Sequence, residues 1–225
     1  MKQFISLCLM VFFLSSGCSL WGNKKEKTAE ELANDGVTAF ENKDYREAIT
    51  EFTNLKNWYP FSKYAILADL KIADSHYHLE EYEEAIAAYG DFENLHPRNE
   101  AVPEVIFKTG LCYFDRMDTI DRDQTNTLKA ISAFERIIRQ YPDHELAGKS
   151  RENIRECQEM IASHELYVGK FYFKSRHYKA AKARFEEVTA SYPDTRAYGE
   201  AVRYLEKCEK TPPEEEAPPA INRPE

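Results

Sequence analysis

Four segments of this chain can be laid over one another, and their common spacing leaves the fold little freedom. Each opens on a small residue: Gly36, Ala73, Gly110 and Gly169. An alanine follows (Ala48, Ala85, Ala130, Ala181), then an aromatic four residues on (Phe52, Tyr89, Phe134, Phe185). Eight residues later comes a proline: Pro60, Pro97, Pro142 and Pro193. The first interval is 12 residues in three segments and 20 in the third, so eight residues are inserted there. A small residue facing an alanine lets two antiparallel helices approach closely, and the aromatic on that alanine's face fills the gap above it. The proline ends the second helix, because the residue before proline is pushed out of the α region. Asn42-Lys43-Asp44, Glu80-Glu81 and Ser175-Arg176-His177 have the length of turns between such helices.

This is the tetratricopeptide pattern, a repeat of about 34 residues. It predicts an all-α tetratricopeptide-repeat helical solenoid of about five helix pairs, spanning residues 29–210. Residues 143–163 do not fit the repeat and read as an extra helix from Glu145 to about Ile161. Residues 145–175 are therefore one helix or two. Asp194 or Thr195 is expected to cap a last helix ending at Lys210.

The N-terminus carries an address. Met1-Lys2-Gln3 is a short positive start, Phe4 to Leu14 is an apolar run, and Ser15-Ser16-Gly17 precedes Cys18. This is the layout of a secretory signal, too short to span a bilayer as a mature helix. Small residues ahead of a cysteine resemble a bacterial lipobox, with Cys18 acylated and residues 1–17 removed. Ser15 stands where that pattern has leucine, and an ordinary signal peptide cleaved nearby is the other reading. By the same resemblance, Ser19 after the cysteine favours the outer membrane. Residues 18–28 form a polar tether, and residues 211–225, rich in Pro and Glu, read as a disordered tail. Cys112, Cys157 and Cys208 then remain, an odd number with no metal-ligand spacing, and are expected to be small buried packing residues.

No catalytic constellation accompanies the repeat. There is no Gly-rich phosphate loop and no G-x-S-x-G, and no His pair has the spacing of a helical zinc site. The expectation is a non-enzyme without cofactor or metal. Thirty Lys and Arg against 39 Asp and Glu give a net charge of −9, which disfavours nucleic acid as a partner.

The first helices of stacked repeats line one face. There, four residues after each small residue, stands an aromatic: Phe40, Tyr77, Phe114 and Phe173. With Leu70 and Phe107, the row Phe40, Tyr77 and Phe114 is suited to gripping an apolar peptide; the alternative is that these rings pack between repeats. Phe61 and Tyr64, after Pro60, would edge the same groove. Lys170 stands where the first and third repeats have Val37 and Leu111, so the fourth repeat's face is more polar.

Beyond the generic repeat, three stretches are distinctive: Tyr59-Pro60-Phe61-Ser62-x-Tyr64, Asp121-Arg122-Asp123-Gln124-Thr125 in the insertion, and the long helix before the fourth repeat. With His96-Pro97, Tyr141-Pro142-Asp143 and Tyr192-Pro193-Asp194-Thr195, they resemble the BamD family of lipoproteins of the outer-membrane β-barrel assembly machine. The resemblance implies a lipid-anchored scaffold on the periplasmic face of the outer membrane. Its N-terminal repeats would receive unfolded outer-membrane proteins. Its C-terminal repeats, around Lys170, Arg176 and Arg184, would dock on the barrel-forming subunit, among other lipoproteins of the machine. A tetratricopeptide lipoprotein of another envelope machine, such as a secretin pilotin or a cell-wall-linked scaffold, shares the anchor and the repeats but does not require all three stretches.

Overall fold

A computed structural model of the chain describes residues 26–210, which form nine α-helices and no strand. They are α1 (Ala29–Glu41), α2 (Tyr45–Trp58), α3 (Ala65–His78), α4 (Tyr82–Leu95), α5 (Val102–Phe114), α6 (Thr125–Gln140), α7 (Leu146–Lys174), α8 (Tyr178–Ser191) and α9 (Tyr198–Glu209). Helices adjacent in sequence pack on one another, so the chain is an all-α tetratricopeptide-like solenoid of four hairpins closed by α9. The proposed signal, Cys18, most of the tether and the tail lie outside the described residues.

The repeat residues do the packing their spacing implied. Ala48, Ala85, Ala130 and Ala181 are fully buried, as are the rings of Phe52, Tyr89, Phe134 and Phe185. The glycines are required by these rings: a Cβ on Gly36 would stand 2.8 Å from Phe52, on Gly110 2.6 Å from Phe134, and on Gly169 2.5 Å from Phe185. Such contacts lie inside van der Waals separation, so each glycine is the residue that lets the ring seat. The core is accordingly a row of clusters, one at each step of the stack.

Two kinds of connection alternate. Within a hairpin the chain reverses through Lys43, Glu80 or Arg176, with φ of 65°, 60° and 64°. Asp44, Glu81 and His177 then donate their N–H groups to the carbonyls of Ala39, His76 and Tyr172, at 2.8, 3.0 and 2.9 Å. These are Schellman closures, and they hold a side-chain-bearing residue where glycine is usual. Between hairpins the proline ends α2, α4, α6 and α8, and the residue before it (Tyr59, His96, Tyr141, Tyr192) leaves the helical region with ψ of 56°, 51°, 55° and 52°.

The third hairpin is joined instead by the inserted residues 115–124, which tie themselves together. The Gln124 amide donates to the carbonyls of Thr119 and Arg122, both at 3.1 Å, and its oxygen accepts from the Thr127 hydroxyl at 2.8 Å. Asp123 accepts from the Thr125 N–H at 2.9 Å, and Nδ1 of His164 on α7 lies 2.7 Å from the Ile120 carbonyl. The acidic, amide-bearing character of Asp121 to Thr125 is thus explained by loop closure.

The extra helix and the first helix of the fourth repeat are one continuous element, the 29-residue α7. Its Leu146 and Ala147 belong to the core of the second and third hairpins, whereas Ala162 and Leu166 belong to that of α8 and α9. The last helix departs from expectation. It begins at Tyr198, and the Thr195 hydroxyl donates to the Tyr192 carbonyl at 2.8 Å instead of capping a helix. Residues 193–197 repeat the turn that follows Pro60, Pro97 and Pro142, and α9 starts only after it. Cys112, Cys157 and Cys208 are free and buried, and burial pushes the Cys112 and Cys157 thiols up to about 12.

Candidate functional site

Phe40, Tyr77, Phe114 and Phe173 are all half-buried, and each has a structural contact as well as a remaining face. Phe40 meets Tyr45, Tyr77 meets Tyr82 and Phe173 meets Tyr178, edge to face at 5.4, 5.9 and 5.4 Å. The partner lies five residues on in every case, across the hairpin turn. These rings therefore clasp their own hairpins. In the third hairpin the insertion separates the helices, and Phe114 packs on Phe134 with centroids 6.2 Å apart. Phe107 contacts the same ring at 5.4 Å.

Leu70, Tyr77 and Phe107 converge on the core of the second and third hairpins, while Phe40 belongs to the first cluster. His78 joins the two groups. Its ring stacks on Tyr45 at 4.7 Å and meets Phe40 and Tyr77 edgewise at 5.6 and 5.8 Å. Partial burial against these rings lowers its pKa from the ordinary histidine value, which favours the uncharged ring, and the exposed residue extends the aromatic row. The Lys71 ammonium lies 4.2 Å from the Phe40 ring centre, giving this end of the row a cationic rim. Tyr77 donates its hydroxyl to Asp115 at 2.8 Å; burial and then that carboxylate raise its pKa. Sequence reasoning missed His78, Tyr45 and Lys71, although an aromatic recurring five residues after the row would have signalled the clasp.

Asp74, at the helical position that holds Val37, Leu111 and Lys170 in the other repeats, is buried, at 4% exposure. It accepts the Tyr89 hydroxyl and the Lys108 ammonium, each at 2.8 Å, and faces Lys71 at 3.4 Å. Lys108 comes from α5, so the second and third hairpins are joined by a buried charge pair. Burial works against the Lys108 charge, but Asp74 and Glu104 outweigh it and raise its pKa above the usual lysine value.

The C-terminal candidates differ in their surroundings. Lys170 is paired with Glu200 on α9 at 2.7 Å and lies 5.8 Å from the Tyr204 ring centre. Arg184 is held by both oxygens of Glu165, at 2.9 and 3.1 Å. Arg176 is exposed at its left-handed turn. Two residues that sequence reasoning passed over stand out here. Tyr167 and Phe171, one turn apart on α7, are exposed, and their four-residue spacing was the available signal. Among the described residues no group of His, Cys, Asp or Glu could hold a metal ion, and no helix is long and apolar enough to cross a membrane.

The family model for YfiO, described as outer membrane lipoprotein, matches residues 25–217. The chain belongs to the YfiO family. Among its relatives, the outer membrane protein assembly factor BamD of Rickettsia prowazekii is 28% identical over 197 residues, covering 87% of this chain and 78% of the relative. The BamD proteins of Caulobacter vibrioides and Pasteurella multocida are 27% and 24% identical; the matches cover 79% and 92% of this YfiO-family chain and 58% and 84% of the relatives. A solved tetratricopeptide repeat protein from Thermus thermophilus is 14% identical, with a TM-score of 0.43 over 82% of this chain and 100% of the other.

Proposed function

We propose that this YfiO-family protein is an outer membrane protein assembly factor that works as a scaffold. In this reading Cys18 carries the lipid anchor, which places the solenoid on the periplasmic face of the outer membrane. The first three hairpins hold an apolar segment of an unfolded outer-membrane protein while the barrel-forming subunit inserts it. The observation that carries the reading is the family match across the whole solenoid, to relatives that are themselves named assembly factors.

The geometry supports the division of labour. Phe40, Tyr77, Phe107, Phe114 and Leu70 keep partly exposed apolar surface along successive first helices, extended by the His78 ring. A row of this kind supplies binding energy by burial and needs no catalytic group. At the other end, Lys170, Arg176 and Arg184 are the proposed docking cations. Arg176 is the most exposed of the three by its position in the turn, and Tyr167 and Phe171 offer apolar anchors beside it in sequence. Rim charges of this kind set partner choice more than affinity.

The deciding experiment is a crosslinked pull-down from membranes. Recovery of the barrel-forming subunit supports the reading, and its absence under conditions that recover other envelope partners defeats it. For the finer assignment, Tyr77→Ala with Phe114→Ala should weaken binding of an apolar C-terminal peptide from an outer-membrane protein and spare the subunit. Charge reversal at Arg176 should do the opposite. If both variants lose both activities while retaining parental melting curves, the two surfaces are not separate.

A further inference from the structure

Four loops in this molecule share one backbone and differ in what they carry. After Pro60, Pro97, Pro142 and Pro193 the same turn forms. Ser62, Asn99, His144 and Thr195 donate their N–H groups to the carbonyl three residues back, at 3.0, 2.9, 3.1 and 3.3 Å. Ala65, Val102, Ala147 and Tyr198 repeat that contact three residues later. The residue following the proline is Arg98, Asp143 or Asp194 in the later loops and Phe61 in the first. Since arginine and aspartate satisfy the same turn, the backbone does not require a phenylalanine. The core does not require it either, because Phe61 is 101% exposed. Trp58, two residues before Pro60, is 56% exposed; at this position the second hairpin has the exposed Leu95, and the third and fourth carry Gln140 and Ser191. Ile66, just past the loop, is exposed as well. Between Glu51 and Asp69 the chain has no carboxylate and carries Lys56 and Lys63, in a protein of net charge −9.

The chain enters the solenoid at this loop. The Tyr59 hydroxyl donates to the Lys27 carbonyl at 2.9 Å, and the Lys27 ammonium is pinned by Asp35 and Glu51, each at 2.8 Å. From Lys27 back to Cys18, fully extended, is at most about 30 Å. A membrane that holds Cys18 is therefore within reach of Phe61 and Trp58.

We propose that the Tyr-Pro-Phe loop is a membrane-contact element. Phe61 and Trp58 enter the headgroup region of the leaflet that holds the anchor, and Lys63 faces its anionic phosphates. Aromatic side chains are at home at that depth, and basic residues add attraction to anionic lipid. Tyr64 packs on the first core cluster while Phe61 turns outward, so the loop is braced from behind. The loop then fixes how the solenoid stands on the membrane, which an acyl chain alone does not. This rests on the reading of Cys18 as the anchor.

The test separates the two. The chain beginning at Cys18, carrying Trp21→Phe so that Trp58 is the sole tryptophan, is coupled through the Cys18 thiol to maleimide phospholipid. The vesicles are phosphatidylethanolamine with phosphatidylglycerol. Cys112, Cys157 and Cys208 are buried and do not compete. This coupling replaces the natural anchor, whose existence is read independently by fatty-acid labelling of wild type and Cys18→Ala in cells. Phospholipids brominated near the headgroup end of the acyl chains should quench Trp58 relative to plain vesicles, because an indole at the interface lies within reach of the bromines. Phe61→Ser should lessen the quenching, as should Lys63→Glu, without changing the melting curve. Emission from Trp58 that is equal in brominated and plain vesicles overturns the proposal. So does a Trp58 that ignores lipid but responds to an apolar C-terminal peptide of an outer-membrane protein, an outcome that would assign the loop to the peptide groove.

Discussion

The second and fourth repeats place opposite charges at the same helical position, one residue after the small residue. In the second it is Asp74, sealed at 4% exposure between α3, α4 and α5, with Tyr89 and Lys108 as close partners and Lys71 a little farther off. In the fourth it is Lys170, meeting Glu200 of α9 with side chains 30% and 36% exposed. Both contacts reach across to the next helix of the stack, yet they differ in kind. A charge buried among its partners fixes a junction, because any rearrangement strands it in a medium that cannot solvate it. A pair that water reaches is worth little and can be exchanged for another partner. The middle of the solenoid is thus built to stay as it is, and its C-terminal end can trade contacts.

The largest expected effect tests the buried member. Asp74→Ala should cost ~3 kcal/mol, since it leaves the buried Tyr89 hydroxyl unpaired and leaves Lys108 only its contact with Glu104. Hydrogen exchange should show the loss concentrated in α3 to α5. A cost below that of an exposed pair would remove the distinction between the junctions.

Next comes Gly110→Ala, which drives a methyl group into the Phe134 ring and should cost ~1–3 kcal/mol by urea unfolding. Gly169→Ala, against Phe185, should cost about as much, because this packing is common to both halves.

A pH titration sharpens the comparison. Tyr89 and Lys108 both hold their protons more tightly in the folded chain than in the unfolded one. Unfolding therefore releases protons, and the stability they contribute is present at neutral pH and lost as pH rises above about 10. Asp74→Asn, which removes a charge that contributes to both shifts while leaving the burial of Tyr89 in place, should lessen the alkaline decline seen by circular dichroism. Lys170→Ala should leave its shape unchanged.

The smallest effect belongs to Lys170→Ala itself. It should change stability by ~0–1 kcal/mol, and added salt should erase the difference.

The stack was readable in the sequence because its rules are local. Gly36, Ala48, Phe52 and Pro60 lie within a single repeat, and sterics alone set their spacing. The burial of Asp74 was not readable in that way, since Lys108 stands 34 residues away in the next repeat and nothing near Asp74 announces it. Phe40, Tyr77 and Phe173 were legible as a row but not as clasps, because the ring five residues on becomes a neighbour only once the turn is closed. Thr195 was expected at a helix cap by its residue type, whereas its hydroxyl is engaged by the turn that the proline imposes. Among the candidate residues, the exposure of Tyr167 and Phe171 depends on which side of α7 the neighbouring helices cover, and that is a property of the whole stack.

The continuity of α7 has a consequence for how the chain comes apart. In an ordinary repeat array each unit ends where the next begins, so the array can fray one unit at a time and pause at any boundary. Here 29 residues of unbroken helix, roughly 43 Å long, serve the third hairpin with one end and the fourth with the other. There is no place between them at which unravelling can halt, because melting either half leaves the other with a helix stub that has lost half its hydrogen-bonded length. The last four helices should accordingly open as one block while α1 and α2 fray on their own, and a force applied at α9 would be carried to the centre of the molecule by a single rod.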